Sequence, residues 1–308
     1  MLVITEEQVE AALPLADALR AVEEALTAPP ETIDALSRRR LHLGPTRLNI
    51  VGAAAADRLA VKAYTRSDQS AVLLFAGDGA FLAVIEGKVL SRLRTAAATG
   101  VATKWLSRAD SARAAIIGTG WQAAGQLQAV CAVRPITSAA VWSPTEDHRE
   151  DFARRMSAAL QIPVTATSEA AEAVAYADVV VTATKSAMPV LHGDWLAAGV
   201  HVNLVGANLA HHCEGDEAVL QRSDVVVVDD IEQATREAGE ILAAVAAGRL
   251  QWSDVRVLGD IAAGREQGRT EEGQVTVFKS LGIGLEDVAV AALVYERVAG
   301  TDGRGRAV

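Results

Sequence analysis

The segment "IIGTGWQAAG" carries the sharpest chemical signal in this chain of 308 residues. Gly118-x-Gly120-x-x-Ala123 follows an apolar run and precedes a helix-length stretch, the context in which a glycine pattern reads as a dinucleotide-binding turn. Gly118 permits the tight turn, Gly120 lets a pyrophosphate approach the backbone, and Ala123 allows close helix–strand packing. The phosphates would lie at the positive end of the helix, beside Thr119. The adenosine end is read from the next strand. An acid there would bind the ribose 2′-hydroxyl, but this chain has Ser143-Pro144-Thr145, with His148 and Arg149 a turn later. Without the acid a 2′-phosphate meets no repulsion, and Ser143, Thr145 and Arg149 could bind it. NADP(H) is the expected cofactor, with NAD(H) the alternative. Thr145 also suits the N-cap of the following helix.

A second constellation is "VNLVGANLAHHCE", in which an apolar run breaks at Gly206-Ala207-Asn208 into His211, His212, Cys213 and Glu214. Adjacent side chains cannot all turn towards one ion, and zinc ligand pairs are normally spaced apart, so no metal is expected. A loop at the carboxyl edge of a parallel sheet, where ligands bind, accounts for it better. Further upstream, Lys62 stands in the strand-like "RLAVKAYT" between Val61 and Ala63. Strand position alone sends its side chain to solvent, with a cleft as the alternative. Arg94 falls where a helix is expected to begin, and the macrodipole disfavours a cation there unless an anion binds beside it. Arg38-Arg39-Arg40 reads in isolation as a solvated turn.

Composition sets the frame that must position these groups. Half of the residues are hydrophobic but only 4% are aromatic, which suits a sheet covered by tightly packed helices. The net charge of -10 argues against a nucleic-acid partner. The two cysteines, Cys131 and Cys213, form no disulfide framework. No apolar run is long enough for a membrane span, and the amino terminus lacks a signal-peptide pattern, so a cytoplasmic protein is expected. Thr5 and Gln8 have capping-box spacing, and Leu15, Leu19, Val22 and Leu26 recur at helical spacing beyond Pro14. From Arg47 to Leu93 the runs shorten to strand length, with "GDG" as a hairpin turn. Beyond a small-residue helix come "RAAIIG", "SAAVWS", "DVVVTAT", "HVNLVGA" and "DVVVVDD", mostly separated by helix-length stretches. Parallel βαβ crossovers follow. The fold class is α/β, a Rossmann-type doubly wound parallel sheet over residues 108–285 plus a smaller α+β lobe.

The chain resembles the ornithine cyclodeaminase and mu-crystallin family. The likeness rests on "RLRTAAATGVATKWL", "IIGTGWQA", "ADVVVTAT", "HVNLVGA", "DVVVVDDIEQATREAGEI", "GRT" and "VTVFKSLGIGLEDVA", which together span most of the sequence. The resemblance implies a homodimer pairing through the antiparallel lobe, residues 1–107 completed by a carboxy-terminal helix from about Glu286. It also implies NAD(P)-dependent chemistry on a small imino or amino acid held between the lobes. By position, Lys62 matches the family's active-site lysine and Arg94 its carboxylate-binding arginine, while the second such arginine falls at Arg38 or Arg40. Gly118, Gly120 and Gln122 match the pyrophosphate loop, and Thr182, Ala183 and Thr184 the loop beside the cofactor.

Two departures bear on activity. The stretch between Thr65 and Ser70 is shorter than the family's substrate loop. Asn208 occupies the position at which cyclodeaminases and related alanine dehydrogenases carry a basic aspartate after Gly206-Ala207. An amide cannot accept a proton, whereas reducing an existing imine asks less of that position. The leading expectation is NAD(P)H-dependent reduction of a cyclic or open-chain imino acid. Lys62 would polarise or protonate the nitrogen, Asn208 orient it, and Arg38 and Arg94 hold the carboxylate. The alternatives are an amino-acid dehydrogenase or cyclodeaminase with a relocated base, and a non-catalytic NADPH-dependent binding protein.

Overall fold

The computed structural model describes residues 1–65 and 69–301. In chain order the first elements are β1 (Leu2–Ile4), α1 (Glu6–Ala12), α2 (Leu15–Thr27), β2 (Ile33–Leu43), β3 (Thr46–Ala55), β4 (Arg58–Tyr64), β5 (Ser70–Ala76), β6 (Phe81–Glu86) and α3 (Gly87–Leu106). Then come β7 (Arg113–Ile117), α4 (Trp121–Val133), β8 (Ser138–Trp142), α5 (Glu146–Leu160), β9 (Val164–Ala166), α6 (Ala170–Val174), β10 (Val179–Thr182) and β11 (His201–Leu204). The chain continues with α7 (Glu217–Gln221), β12 (Val225–Val228), α8 (Ile231–Glu237), α9 (Gly239–Ala246), β13 (Val255–Val257), α10 (Leu258–Ala262), β14 (Thr276–Lys279) and α11 (Gly284–Thr301). Two units result, one of residues 1–98 with the segment from Gly282 onward, the other of residues 99–281.

In the first unit six strands lie in the order β1-β6-β5-β4-β3-β2, antiparallel except for β1 beside β6. The Thr5–Gln8 capping box forms, and the buried Ala18, Val22 and Leu26 give α2 its apolar side. One face of the sheet packs on α11. Register puts Val51, Lys62, Val72 and Ile85 in one row across β3 to β6, and all four are buried. The other face leaves Leu36, Leu41, Leu43, Leu59 and Leu73 exposed.

Three local expectations are corrected here. The arginine run 38–40 is no turn but part of β2, where a register shift between Leu36 and Arg39 buries Arg38 while Arg39 stays exposed. A bulge of this kind re-aims side chains in a way that alternation cannot anticipate. Lys62 is buried rather than solvated. Arg94 does not begin a helix, because α3 starts at Gly87. The Glu6 carboxylate accepts hydrogen bonds from the amides of Lys88 and Val89, both 2.7 Å, so the cap comes from a residue some eighty positions upstream. Arg94 therefore lies beyond the first turn, the region in which the macrodipole would disfavour a cation. The shortened stretch between Thr65 and Ser70 falls largely on residues 66–68, outside the described residues.

The second unit is an all-parallel sheet of eight strands in the order β13-β12-β14-β11-β10-β7-β8-β9. Its central strands are buried along their whole length, as expected for a sheet covered on both faces. Ala115, Val180, Val202, Val226 and Val277 pack one side with the residues around them, and Ile116, Leu127, Phe152 and Val181 pack the other. The strands β9, β13 and β14, each only three or four residues long, are too short to stand out in the sequence. The chain runs outward from β7 through β8 and β9, then returns to place β10 on the other side of β7. That reversal is the topological switch point, where open α/β sheets bind ligands. No helix among the described residues is long and apolar enough to cross a membrane.

Candidate functional site

The glycine turn lies at the switch point, between β7 and α4. Gly118 has φ +107°, and a Cβ there would come within 2.6 Å of the Ala183 carbonyl oxygen, so glycine is required on both grounds. Gly120 is the N-cap of α4, with no side-chain hydrogen bond to the helix, and a Cβ on it would meet only the Ala183 oxygen, at 4.0 Å. Here open space adjoins the amide end of a helix of 13 residues. These features fit a dinucleotide pyrophosphate. Thr119 and Gln122 flank the turn, half-buried.

The other residues expected at this site lie at the ends of neighbouring strands. Thr182 ends β10, and Ala183 and Thr184 follow it as the loop packed against Gly118. Gly206 and Asn208 belong to the loop after β11, and Asn208 is half-buried. At the end of β8, Ser143 is buried and its hydroxyl donates to the Thr145 carbonyl at 3.2 Å. Thr145 takes the N-cap position of α5, although its side chain makes no capping hydrogen bond. Arg149 donates to the Ser143 carbonyl at 3.3 Å and lies 3.8 Å from Glu146. His211 and His212 meet edge to face, with ring centroids 4.6 Å apart.

The first unit gathers a different set. Lys62 Nζ donates to Asp287 Oδ1 at 2.7 Å and to Ser91 Oγ at 3.3 Å, and lies over the Tyr64 ring. Arg94 donates through Nη1 to Glu286 Oε2 at 2.7 Å, and its Nε lies 3.0 Å from Asp287 Oδ1. Arg38 donates to the Gly282 carbonyl at 2.7 Å. All five charged side chains are buried, Glu286 fully and Arg94 to within 6% of its surface.

Burial pushes the Lys62 ammonium down to about 8, aided by the positive charges of Arg94 and Arg38 and opposed by Asp287. Burial acts against the Arg94 guanidinium as well, but Asp287 and Glu286 outweigh it and hold that group above the usual arginine range. Lys62 and Arg94 thus meet the buried carboxylates of Glu286 and Asp287, with the positive charge of Arg38 close enough to act on Lys62. Two guanidiniums beside an ammonium suit a carboxylate ligand, and the ammonium near neutrality is a proton donor of useful strength.

Thus Arg38, Lys62 and Arg94 are brought together although 56 positions separate the first from the last. Burial also distinguishes Arg38 from the less buried Arg40. Glu286 and Asp287 are absent from the residues expected at the site on sequence grounds. The adjacent acids in "GLEDVA", followed by the apolar run "VAVAALV", were the available signal.

A parallel doubly wound sheet with a glycine-turn nucleotide site, accompanied by a unit built around buried arginine, lysine and carboxylates, is the class of an NAD(P)-type oxidoreductase. The model of the ornithine cyclodeaminase/mu-crystallin family matches residues 2–302. The chain belongs to that family. It is 37% identical over 217 residues to a Delta(1)-pyrroline-2-carboxylate reductase of Bacillus cereus, the aligned part covering 70% of this chain and 66% of that one. Among solved structures, Thermococcus litoralis Delta(1)-pyrroline-2-carboxylate reductase in complex with NADH and L-proline is 31% identical with a TM-score of 0.93, covering all of both chains. An archaeal alanine dehydrogenase dimer with bound NAD is 30% identical with a TM-score of 0.92, covering 98% of this chain and 97% of that one.

Proposed function

We propose that this protein is an NAD(P)H-dependent reductase that converts an imino acid, cyclic or open-chain, into the amino acid. The observation that carries the reading is the buried Arg38–Lys62–Arg94 cluster, two guanidiniums beside a lysine ammonium at about 8. The reductase resemblance and the dinucleotide turn supply its context. When bound, the reduced nicotinamide supplies a hydride to the imine carbon. Arg38 and Arg94 hold the substrate carboxylate. Lys62 Nζ gives its proton to the nitrogen and is kept charged by Asp287, 2.7 Å away. Asn208 hydrogen-bonds the nitrogen without removing a proton from it.

In this reading the first unit binds substrate and forms a homodimer through the sheet face that exposes Leu36, Leu41, Leu43, Leu59 and Leu73, a patch of the kind that marks an interface. The second unit binds the dinucleotide through Gly118, Thr119, Gly120, Gln122, Thr182, Ala183, Thr184 and Gly206. NADP(H) is preferred over NAD(H), because Ser143 stands where an acid would repel a 2′-phosphate and Thr145 and Arg149 lie beside it. Glu146, exposed and next to Arg149, keeps the margin small. The cytoplasm is the compartment proposed, consistent with two free cysteines.

The test is oxidation of NADPH and of NADH against a panel of cyclic ketimines, including pyrroline-2-carboxylate, and of 2-oxo acids with amines. Turnover of at least one imine, faster than oxidation of the corresponding free amino acid, is expected. The amino-acid dehydrogenase alternative is favoured by the likeness to alanine dehydrogenase. It prevails if amino-acid oxidation is as fast as imine reduction and Asn208→Asp leaves it unchanged.

A further inference from the structure

The parallel ladder between β10 and β11 ends where the Val205 amide donates to the Thr182 carbonyl at 3.0 Å. Beyond it the strands separate, and the next amides on each side, Thr184 N and Gly206 N, need partners from elsewhere. One side chain serves both. Glu214 is fully buried, and its Oε1 accepts from the Thr184 amide and from the Thr184 hydroxyl, each at 2.8 Å. Its Oε2 accepts from the Gly206 amide at 2.6 Å. The approach is so close that a Cβ on Gly206 would lie 2.2 Å from the Thr184 carbonyl oxygen and 2.4 Å from Glu214 Oε1.

Glu214 is itself held from behind. Its amide donates to Glu240 Oε1 at 2.8 Å, and Glu240 is paired at 3.0 Å with Lys279, which is wholly buried at the end of β14. The carbonyl of Glu214 accepts from the amides of Val190 and Leu191, which follow the Thr184 loop. A carboxylate accepting three hydrogen bonds, two from backbone amides, is a strong and directional joint. A dinucleotide contact at residues 182–184 and the position of Asn208 consequently share one anchor.

We propose that Glu214 is a positioning residue that clasps the Thr184 loop to the Gly206–Asn208 loop, so that dinucleotide affinity and the placement of Asn208 depend on the same carboxylate. The inference rests on the functional reading only for the role of Asn208. The clasp itself requires no assigned reaction. In Glu214→Gln an amide donor faces at least one of the donors that the carboxylate accepted, so that arm opens while side-chain volume is kept.

Hydrogen exchange of the full-length protein without ligand is the primary test. Glu214→Gln is expected to lose protection in the peptides covering both 183–186 and 205–208 relative to the unmodified protein, with the remaining strands unchanged. By fluorescence titration NADH and NADPH should each bind about tenfold more weakly, and kcat on any imine reduced by the parent should fall by a comparable factor, in line with the cost of small misplacements at a reacting centre. Combined with Asn208→Ala, the kcat loss from Glu214→Gln should shrink, because both act on the same loop.

A folded Glu214→Gln that keeps both peptides protected and binds nucleotide normally overturns the proposal. Additive kcat losses in the double variant overturn its link to Asn208. Should Glu214→Gln fail to fold, Glu214→Ala, which removes all three hydrogen bonds, and the milder Thr184→Val, which removes the hydroxyl's bond alone, decide the matter. The 205–208 peptide must exchange faster in whichever folds with the larger loss. Unaltered exchange in a folded Glu214→Ala, or nucleotide affinity and 183–186 exchange both unaltered in Thr184→Val, refutes the clasp. If no imine is reduced by the parent protein, the exchange and titration results still judge the clasp, while the reductase reading fails separately.

Discussion

The two units handle ligand chemistry by opposite means. In residues 99–281 the proposed nucleotide site is made mostly of backbone, namely a positive-φ glycine, helix amides and the ends of apolar strands. In the first unit the proposed substrate site consists of ionised side chains buried from four separate elements, β2, β4, α3 and α11. Unless proline is introduced, substitution can misplace a backbone donor but not remove it. Buried charges carry a desolvation cost that their partners must offset. Substitutions should accordingly damage geometry in one unit and protonation and charge balance in the other.

The sharpest separation is expected at Lys62. Lys62→Ala should lower kcat by about 10²- to 10⁴-fold, the usual worth of a positioned acid, with NADPH affinity by fluorescence titration unchanged. An equal loss of nucleotide affinity would break the comparison. In the unmodified enzyme, kcat/KM should hold below about 8 and fall as pH rises through that value, because the protonated amine is the working form. Asp287→Asn removes a carboxylate that raises the Lys62 value, so the falling limb should move to lower pH. A limb that stays in place would assign it to another group.

Arg94 comes next in size. Arg94→Ala leaves Glu286 and Asp287 without their guanidinium partner, so urea unfolding should show a loss on the order of 3–5 kcal/mol, as when one partner of a buried ion pair is removed. KM for the imino acid should rise or turnover vanish. A variant as stable as the parent would mean that the carboxylates find another partner or protonate.

For the backbone-built site the counterpart is Gly118→Ala, which forces a side chain into φ +107° and towards the Ala183 oxygen. The expected cost is about 1–3 kcal/mol, read as weaker NADH binding with the alkaline limb of the Lys62 profile unmoved. Smallest of all should be Ser143→Asp, shifting the NADPH to NADH affinity ratio by about tenfold towards NADH, which corresponds to ~1.4 kcal/mol. If the parent already binds NADH more tightly, the reading of the β8 end is wrong.

Legibility in the sequence followed the same division. The parallel sheet was announced by short valine-rich runs such as Val179–Val181 and Val225–Val228, and the nucleotide turn by glycines two positions apart after a strand, because both depend on neighbours along the chain. The capping box at Thr5 and the turn at Gly77-Asp78-Gly79 are equally local and were legible for the same reason. The short β9, β13 and β14 were not, since three or four residues carry too little periodicity to stand out. What only the tertiary structure decided is non-local. The start of α3 is set by Glu6, the burial of Arg38 by a bulge against β3, and the ion-pair partner of Lys62 is an aspartate 225 positions later. Glu214 joins two loops whose amides no strand can satisfy. Sequence determines which residues can form a strand, a turn or a cap, because those energies are shared within a few positions. The partner of a buried charge is chosen by packing, because only the folded chain removes the water that would otherwise solvate it.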